Sequence, residues 1–132
     1  MTNTGITLYA NEYMRAEFGE KIKKQRHRLD LSLRKVCEVV KNDDGKSISV
    51  SYLNDIEQGH RKPPSGRIIV QLAKVLELDP HELLNIAGKV DPEVEDAVKD
   101  VEVGVLFRRL LQKNRDDPNF FDWLNKNIDK GA

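Results

Sequence analysis

The sequence predicts an all-α protein. Apolar residues recur at steps of three and four along most of the 132 residues, and no period-two segment is long enough for a strand. Residues that favour helix starts precede the apolar stretches, among them Ser32, Ser49 and the pair Asp79-Pro80. A hydrophobic content of 39% and a charged content of 33% are typical of a globular protein. We therefore expect one helical domain with a small appendage.

Five short helices are expected in residues 18–88. The first carries Phe18, Ile22 and Leu29 on one side and basic residues on the other, and residues 1–17 extend it toward the N-terminus. Each of the next four helices begins after a capping residue: Ser32, Ser49, Ser65 and Asp79, the last of which is followed by Pro80. Gly59 ends the helix that begins after Ser49, and Gly88 ends the one that begins after Asp79. The extended segment Pro63-Pro64 separates the helix that ends at Gly59 from the one that begins after Ser65.

Two additional helices are expected in residues 89–132. Asp91-Pro92 begins the first and Asp117-Pro118 begins the second, and Gly104 marks a kink or a close contact within the first. Two helices alone cannot bury a core, so this segment needs a partner. The partner is the five-helix domain, the same segment of a second chain, or another protein.

The net charge of zero conceals an asymmetry along the chain. Residues 18–75 hold 13 basic and 7 acidic side chains, a net charge of +6, whereas residues 76–132 hold 8 and 13, a net charge of −5. A basic block beside an acidic one suggests separate roles, and the basic block is the candidate for binding a polyanion.

Several classes of protein are excluded by what the sequence lacks. The single cysteine, Cys37, allows neither an intramolecular disulfide nor a cysteine-based zinc site, and His27, His60 and His81 lack metal-ligand spacing. We find no membrane-spanning run, no secretory signal, no glycine-rich phosphate loop and no catalytic constellation. We therefore expect a cytoplasmic, nucleoid-associated protein that is not an enzyme, with no cofactor, no metal and no membrane partner.

Residues 48–65 carry the most specific pattern: a capped short helix, a glycine stop at Gly59 and a Pro-Ser restart. Together with residues 31–37 and 72–78, this segment resembles the phage-repressor (Cro/Xre) class of helix-turn-helix regulators. The resemblance covers about half of the chain. It departs from the class at residues 42–47, which form a six-residue insertion, and at Leu33, where many members have Gln.

The resemblance implies a sequence-specific transcriptional regulator, a repressor, that binds double-stranded DNA as a homodimer and reads the major groove with helix 49–58. Asparagine pairs with adenine, and serine and valine suit other base edges. Asp55 either accepts from cytosine or pairs with Arg34, and Glu57 pairs with a nearby arginine or an orphan N–H. The candidate base contacts are Val50, Ser51, Asn54 and Asp55, and the candidate phosphate contacts are Arg34, Lys46, Ser49, Arg61 and Lys62.

Two other functions remain open at this stage. One is an antitoxin, whose C-terminal part binds a toxin enzyme while the helix-turn-helix domain binds DNA. The other is a protein-interaction module that has lost its DNA contacts, which the zero net charge and Asp55 favour and the +6 block opposes.

Overall fold

A computed structural model describes residues 4–131, and side chains from residue 11 to residue 130. The all-α class is confirmed, because the described residues form eight α-helices and a terminal 3-10 turn and contain no strand. The chain divides into two compact units at Pro92 and Glu93. The helices are α1 (Thr4–Arg28), α2 (Leu33–Val39), α3 (Val50–Glu57), α4 (Gly66–Val75), α5 (Pro80–Ile86), α6 (Pro92–Ala97), α7 (Val101–Asp116) and α8 (Phe120–Asn127), with the 3-10 turn at Ile128–Gly131.

The first unit has one apolar core to which all five helices contribute. Helices α1 and α3 approach each other most closely at Gly19, where an added Cβ would lie 2.3 Å from the carbonyl oxygen of Ile56. No side chain larger than hydrogen fits that crossing. The largest fully buried side chains are Phe18, Ile22, Val36, Val40, Leu53, Ile56, Ile69, Leu72, Leu76 and Leu83.

Side-chain caps begin three of the helices as predicted. The Ser32 hydroxyl accepts from the Lys35 N–H at 3.1 Å, and the Ser49 hydroxyl accepts from the Tyr52 N–H at 3.0 Å. Asp79 caps α5 in the same way. Ser65 differs from the prediction, because it occupies the N-cap position of α4 but makes no capping hydrogen bond, and its buried oxygen has no partner.

Four helices of the first unit end with the chain in a left-handed conformation. Gly59 and Gly88 have φ values of 77° and 65°, which glycine adopts without steric cost. Asp30 and Glu77 take the same role at 54° and 55°, although each carries a Cβ. The hydrogen bonds that close a Schellman motif are present at Glu77, where the Leu78 N–H donates to the Ala73 carbonyl at 2.8 Å.

The insertion at residues 42–47 is a closed hairpin rather than an open loop. The Ile48 N–H donates to the Val40 carbonyl at 3.1 Å, and Lys41 and Ser47 form an antiparallel bridge. Gln71 of α4 holds this base from the side, because its amide accepts from the Lys41 N–H and donates to the Lys41 carbonyl, both at 2.8 Å. The insertion therefore leaves α2 and α3 fixed to the same core.

The second unit contains one more helix than the sequence predicts. The first expected helix is divided into α6 and α7 by a turn over residues 98–100, because Asp100 accepts from the Glu102 and Val103 N–H groups and starts a new helix. The break therefore falls before Gly104, and of the two predicted roles of Gly104 the structure shows the close contact, because an added Cβ would lie 2.9 Å from the Val98 carbonyl oxygen. Helix α8 pairs with α7 through the Phe121 N–H, which donates to Asn114 Oδ1 at 3.0 Å.

Candidate nucleic-acid interface

Helix α3 divides its side chains between the core and the surface. Leu53 and Ile56 are fully buried, while Ser51 and Asn54 are exposed and Val50 is 42% exposed. Three of the four predicted base-contact residues thus lie on the uncovered side of the helix. Their side chains offer a hydroxyl, a primary amide and a branched apolar group, which are the groups that distinguish base edges in a major groove.

A buried ion pair fixes α3 to α1. Arg26 Nε and Nη2 donate to the two carboxylate oxygens of Glu57 at 2.7 and 2.8 Å, and the side chains are only 11% and 1% exposed. Arg26 Nη1 also donates to the Leu31 carbonyl at 2.9 Å. The hydrogen bonds that Arg26 donates to Glu57 raise the pKa of Arg26, against the lowering effect of burial. The prediction that Glu57 pairs with an arginine is confirmed.

Asp55 pairs with Arg61 and not with Arg34. Arg61 Nε lies 3.5 Å from Asp55 Oδ2, and the guanidinium stands 5.2 Å from the centre of the Tyr52 ring. Burial raises the pKa of Tyr52, and the positive charge of Arg61 opposes that shift. Arg34 was one of two alternatives for Asp55, and the structure has Arg61 in its place because the chain turns at Gly59 and brings Arg61 back beside α3. Two groups therefore hold the Arg61 guanidinium in place, the Asp55 carboxylate and the Tyr52 ring.

A basic pocket of about 340 Å³ adjoins the end of α3 and the start of α4. The predicted phosphate contacts Arg61 and Lys62 both line it. Sequence reasoning missed Lys89, because a position directly after the Gly88 stop does not show which distant residues the chain approaches next. The full lining is Tyr52, Arg61, Lys62, Pro63, Pro64, Ser65 and Lys89.

The other predicted phosphate contacts do not line this pocket. Arg34 is exposed on α2, and Lys46 is exposed on the hairpin between α2 and α3. The hydroxyl oxygen of Ser49 is engaged in capping α3. The N–H groups of Val50 and Ser51, at the start of α3, have no acceptor within the helix, because the first four N–H groups of any helix lack one.

Metal-holding clusters and membrane-spanning helices are both absent from the described part of the chain. Residues 4–131 contain no group of three or more His, Cys, Asp or Glu side chains that could hold a metal ion. No helix among them has the length and apolar character that crossing a bilayer requires. Burial raises the pKa of the Cys37 thiol, which disfavours the reactive thiolate.

Comparison with known proteins agrees with this geometry. The family model described as a helix-turn-helix domain matches residues 17–85, more than half of the chain. Neither the comparison with curated proteins nor that with solved structures found a match. The matched segment contains α2, α3 and every residue of the exposed surface described above except Lys89. The chain therefore belongs to the helix-turn-helix domain family, which indicates a DNA-binding regulator.

Proposed function

We propose that this protein is a sequence-specific transcriptional repressor of the phage-repressor (Cro/Xre) type, which binds double-stranded DNA as a homodimer in the cytoplasm. The observation that carries the proposal is the outer side of α3, where Ser51 and Asn54 are uncovered while Leu53 and Ile56 anchor the helix. A rigid helix with an uncovered polar N-terminal half is what major-groove reading requires.

The side chains of this surface have separate proposed roles. Asn54 reads an adenine through two hydrogen bonds, Ser51 contacts a neighbouring base edge, and Val50 contacts a thymine methyl group. Asp55 is half exposed and already paired, so we assign it the positioning of Arg61 rather than a base contact. This assignment explains how an acidic residue is accommodated beside DNA.

Phosphate binding is assigned to the cations that surround α3. Arg61 and Lys62 line the basic pocket together with Lys89, and the exposed Arg34 on α2 and Lys46 on the hairpin add further positive charge. Each neutralised phosphate releases counterions, so the affinity should fall steeply with salt concentration. The net charge of +6 over residues 18–75 supports this assignment.

The base-reading role is tested with Asn54→Ala on a site selected from a random DNA pool. The variant should lose ~1–3 kcal/mol of binding free energy on the selected site and little on random duplex. Asn85→Ala is the matched control, because Asn85 is an exposed asparagine on α5. Equal losses on both DNAs, or an equal loss in the control, would remove Asn54 from base reading.

The phosphate role is tested with Lys62→Ala in a salt titration. The slope of log affinity against log salt should fall by about one unit, and all DNA sequences should be weakened alike. Lys24→Ala, an exposed lysine of α1, is the control and should keep the slope. A wild-type protein whose weak DNA binding is independent of salt would instead favour a protein-interaction module.

A further inference from the structure

The second unit leaves a large apolar surface uncovered. None of the side chains described in α6, α7 and α8 is buried. Leu106 is 54% exposed and Trp123 is 57% exposed. Half-exposed side chains of this size each leave on the order of 100 Å² of apolar surface in water, and contiguous patches of such residues mark interaction sites.

One part of α7 has a pattern that is complementary to itself. Glu102, Val105, Leu106 and Arg109 are neighbours on the helix surface, because they are spaced by three and four residues. We call these four residues the α7 patch. All four are exposed, Val105 at 41% and Leu106 at 54%. The patch has an acidic end, an apolar centre and a basic end.

The charge along this segment is divided in the same direction. Residues 93–102 contain five acidic side chains and one basic side chain, a net charge of −4. Residues 103–116, the remainder of α7, contain four basic side chains and one acidic side chain, Asp116, a net charge of +3. Two copies side by side in parallel would place like charges together, whereas two antiparallel copies place each acidic end against a basic end.

We propose that two copies of the chain associate through the α7 patch, with the two α7 helices antiparallel about a two-fold axis. Val105 and Leu106 pack against the same residues of the second copy, and Glu102 of each copy pairs with Arg109 of the other. A two-fold interface must use one surface on both partners, and the α7 patch satisfies that condition. This inference rests on the homodimer of the proposed function and names the surface that forms it.

The size of the patch sets the expected strength of the dimer. Helix α7 has 16 residues and is therefore about 24 Å long. A stable interface buries about 800 Å² on each partner, which is more than one helix crossing of this length supplies. The dimer should therefore be weak in the absence of DNA. A duplex with two half-sites should strengthen it, because the second head then binds within one complex.

The test uses the full chain and two charge reversals. Wild-type protein should show a mass that rises toward the dimer with concentration in sedimentation equilibrium. Glu102→Lys and Arg109→Glu should each weaken the dimer about tenfold or more, since each creates two like-charge contacts. Mixing the two variants in equal amounts should restore a dimer, and native mass spectrometry should identify it as the heterodimer. In the heterodimer, the lysine introduced at position 102 of one variant faces the glutamate introduced at position 109 of the other. The unchanged Glu102 and the unchanged Arg109 form the second contact. Opposite charges therefore meet at both contacts, whereas each variant alone would bring like charges together.

The control is Lys126→Glu, which reverses a 70%-exposed charge on α8 outside the α7 patch and should leave the dimer unchanged. Circular dichroism confirms that each variant remains helical. Wild-type protein that stays monomeric at all concentrations, with and without two-site DNA, overturns the proposal, as does a mixture that fails to form heterodimers. In the first case another protein is the better candidate for this surface, and the antitoxin function gains support.

The outcome separates the dimer from DNA recognition. Monomeric variants should still bind one half-site in an Asn54-dependent manner. If they do so and no dimer forms, the α7 proposal and the homodimer fail, while sequence-specific DNA recognition through α3 stands. If a dimer forms but no DNA sequence is selected, only the proposed function fails.

Discussion

Replacing Glu57 with Gln should destabilise the first unit far more than the loss of an ordinary ion pair. The Glu57 carboxylate is 1% exposed and accepts from Arg26 at 2.7 and 2.8 Å, and Arg26 is itself 11% exposed. The glutamine cannot neutralise the guanidinium, which remains buried with an unbalanced charge. Removing one partner of a buried pair costs about 3–5 kcal/mol. That is a large part of the total free energy of unfolding of a typical domain, which is about 5–15 kcal/mol.

The assay is urea unfolding followed by circular dichroism, with Glu82→Gln as the matched control. Glu82 pairs with Lys21 at the same 2.8 Å, but the side chains are 55% and 37% exposed, so this loss should be at most about 1 kcal/mol. The double variant Arg26→Met with Glu57→Met should recover part of the loss, because no unpaired charge remains. Similar losses for Glu57→Gln and Glu82→Gln would refute the reasoning that burial decides the cost.

Three further outcomes follow from the backbone and the core. Gly19→Ala should lower the free energy of unfolding by about 1–3 kcal/mol or more, because its Cβ would lie 2.3 Å from the carbonyl oxygen of Ile56. Urea unfolding measures this loss, and an unchanged unfolding midpoint would contradict the prediction. Glu77→Gly should raise the melting temperature, since glycine relieves a left-handed φ of 55° at a gain of roughly 0.5–1 kcal/mol. Cys37 is only 5% exposed and burial raises its pKa, so a thiol reagent cannot reach it in the folded state and should react at pH 8 only as fast as the protein opens. The folded state holds the Cys37 thiol proton more tightly than the unfolded state does. The free energy of unfolding should therefore also fall as the pH rises through the ordinary thiol pKa, and this fall should be less steep in Cys37→Ala.

The sequence predicted the helices well where local chemistry controls the chain. Ser32, Ser49 and Asp79 begin helices through bonds to residues two or three positions away, so a short window of sequence contains the whole interaction. Helix ends at Asp30 and Glu77 were harder, because a left-handed residue is usually glycine; aspartate adopts this conformation only occasionally and glutamate rarely. There the packing of the next segment imposes the backbone geometry.

Contacts between distant residues were the part that sequence could not supply. The pairing of Asp55 with Arg61, the return of Lys89 to the basic pocket and the amide of Gln71 beside Lys41 all depend on how the chain folds back. The division of the predicted helix at Asp100 also escaped detection, because Val98, Val101 and Val105 keep helical spacing across the break. The helical spacing of apolar residues indicates which residues face the same environment, but it does not show whether they belong to one continuous helix.

The two hydrogen bonds between the Gln71 side chain and the Lys41 backbone affect how the sequence of this domain can vary during evolution. The amide of Gln71 supplies a donor and an acceptor to one residue's backbone, which is what a neighbouring strand would supply. Because the hairpin closes at Val40 and Ile48, the tip beyond it adds no constraint on where α2 and α3 stand. Insertions, deletions and new side chains at residues 43–46 can therefore accumulate without moving the helices. New contacts can therefore arise on this hairpin while the positions of α2 and α3 stay constant.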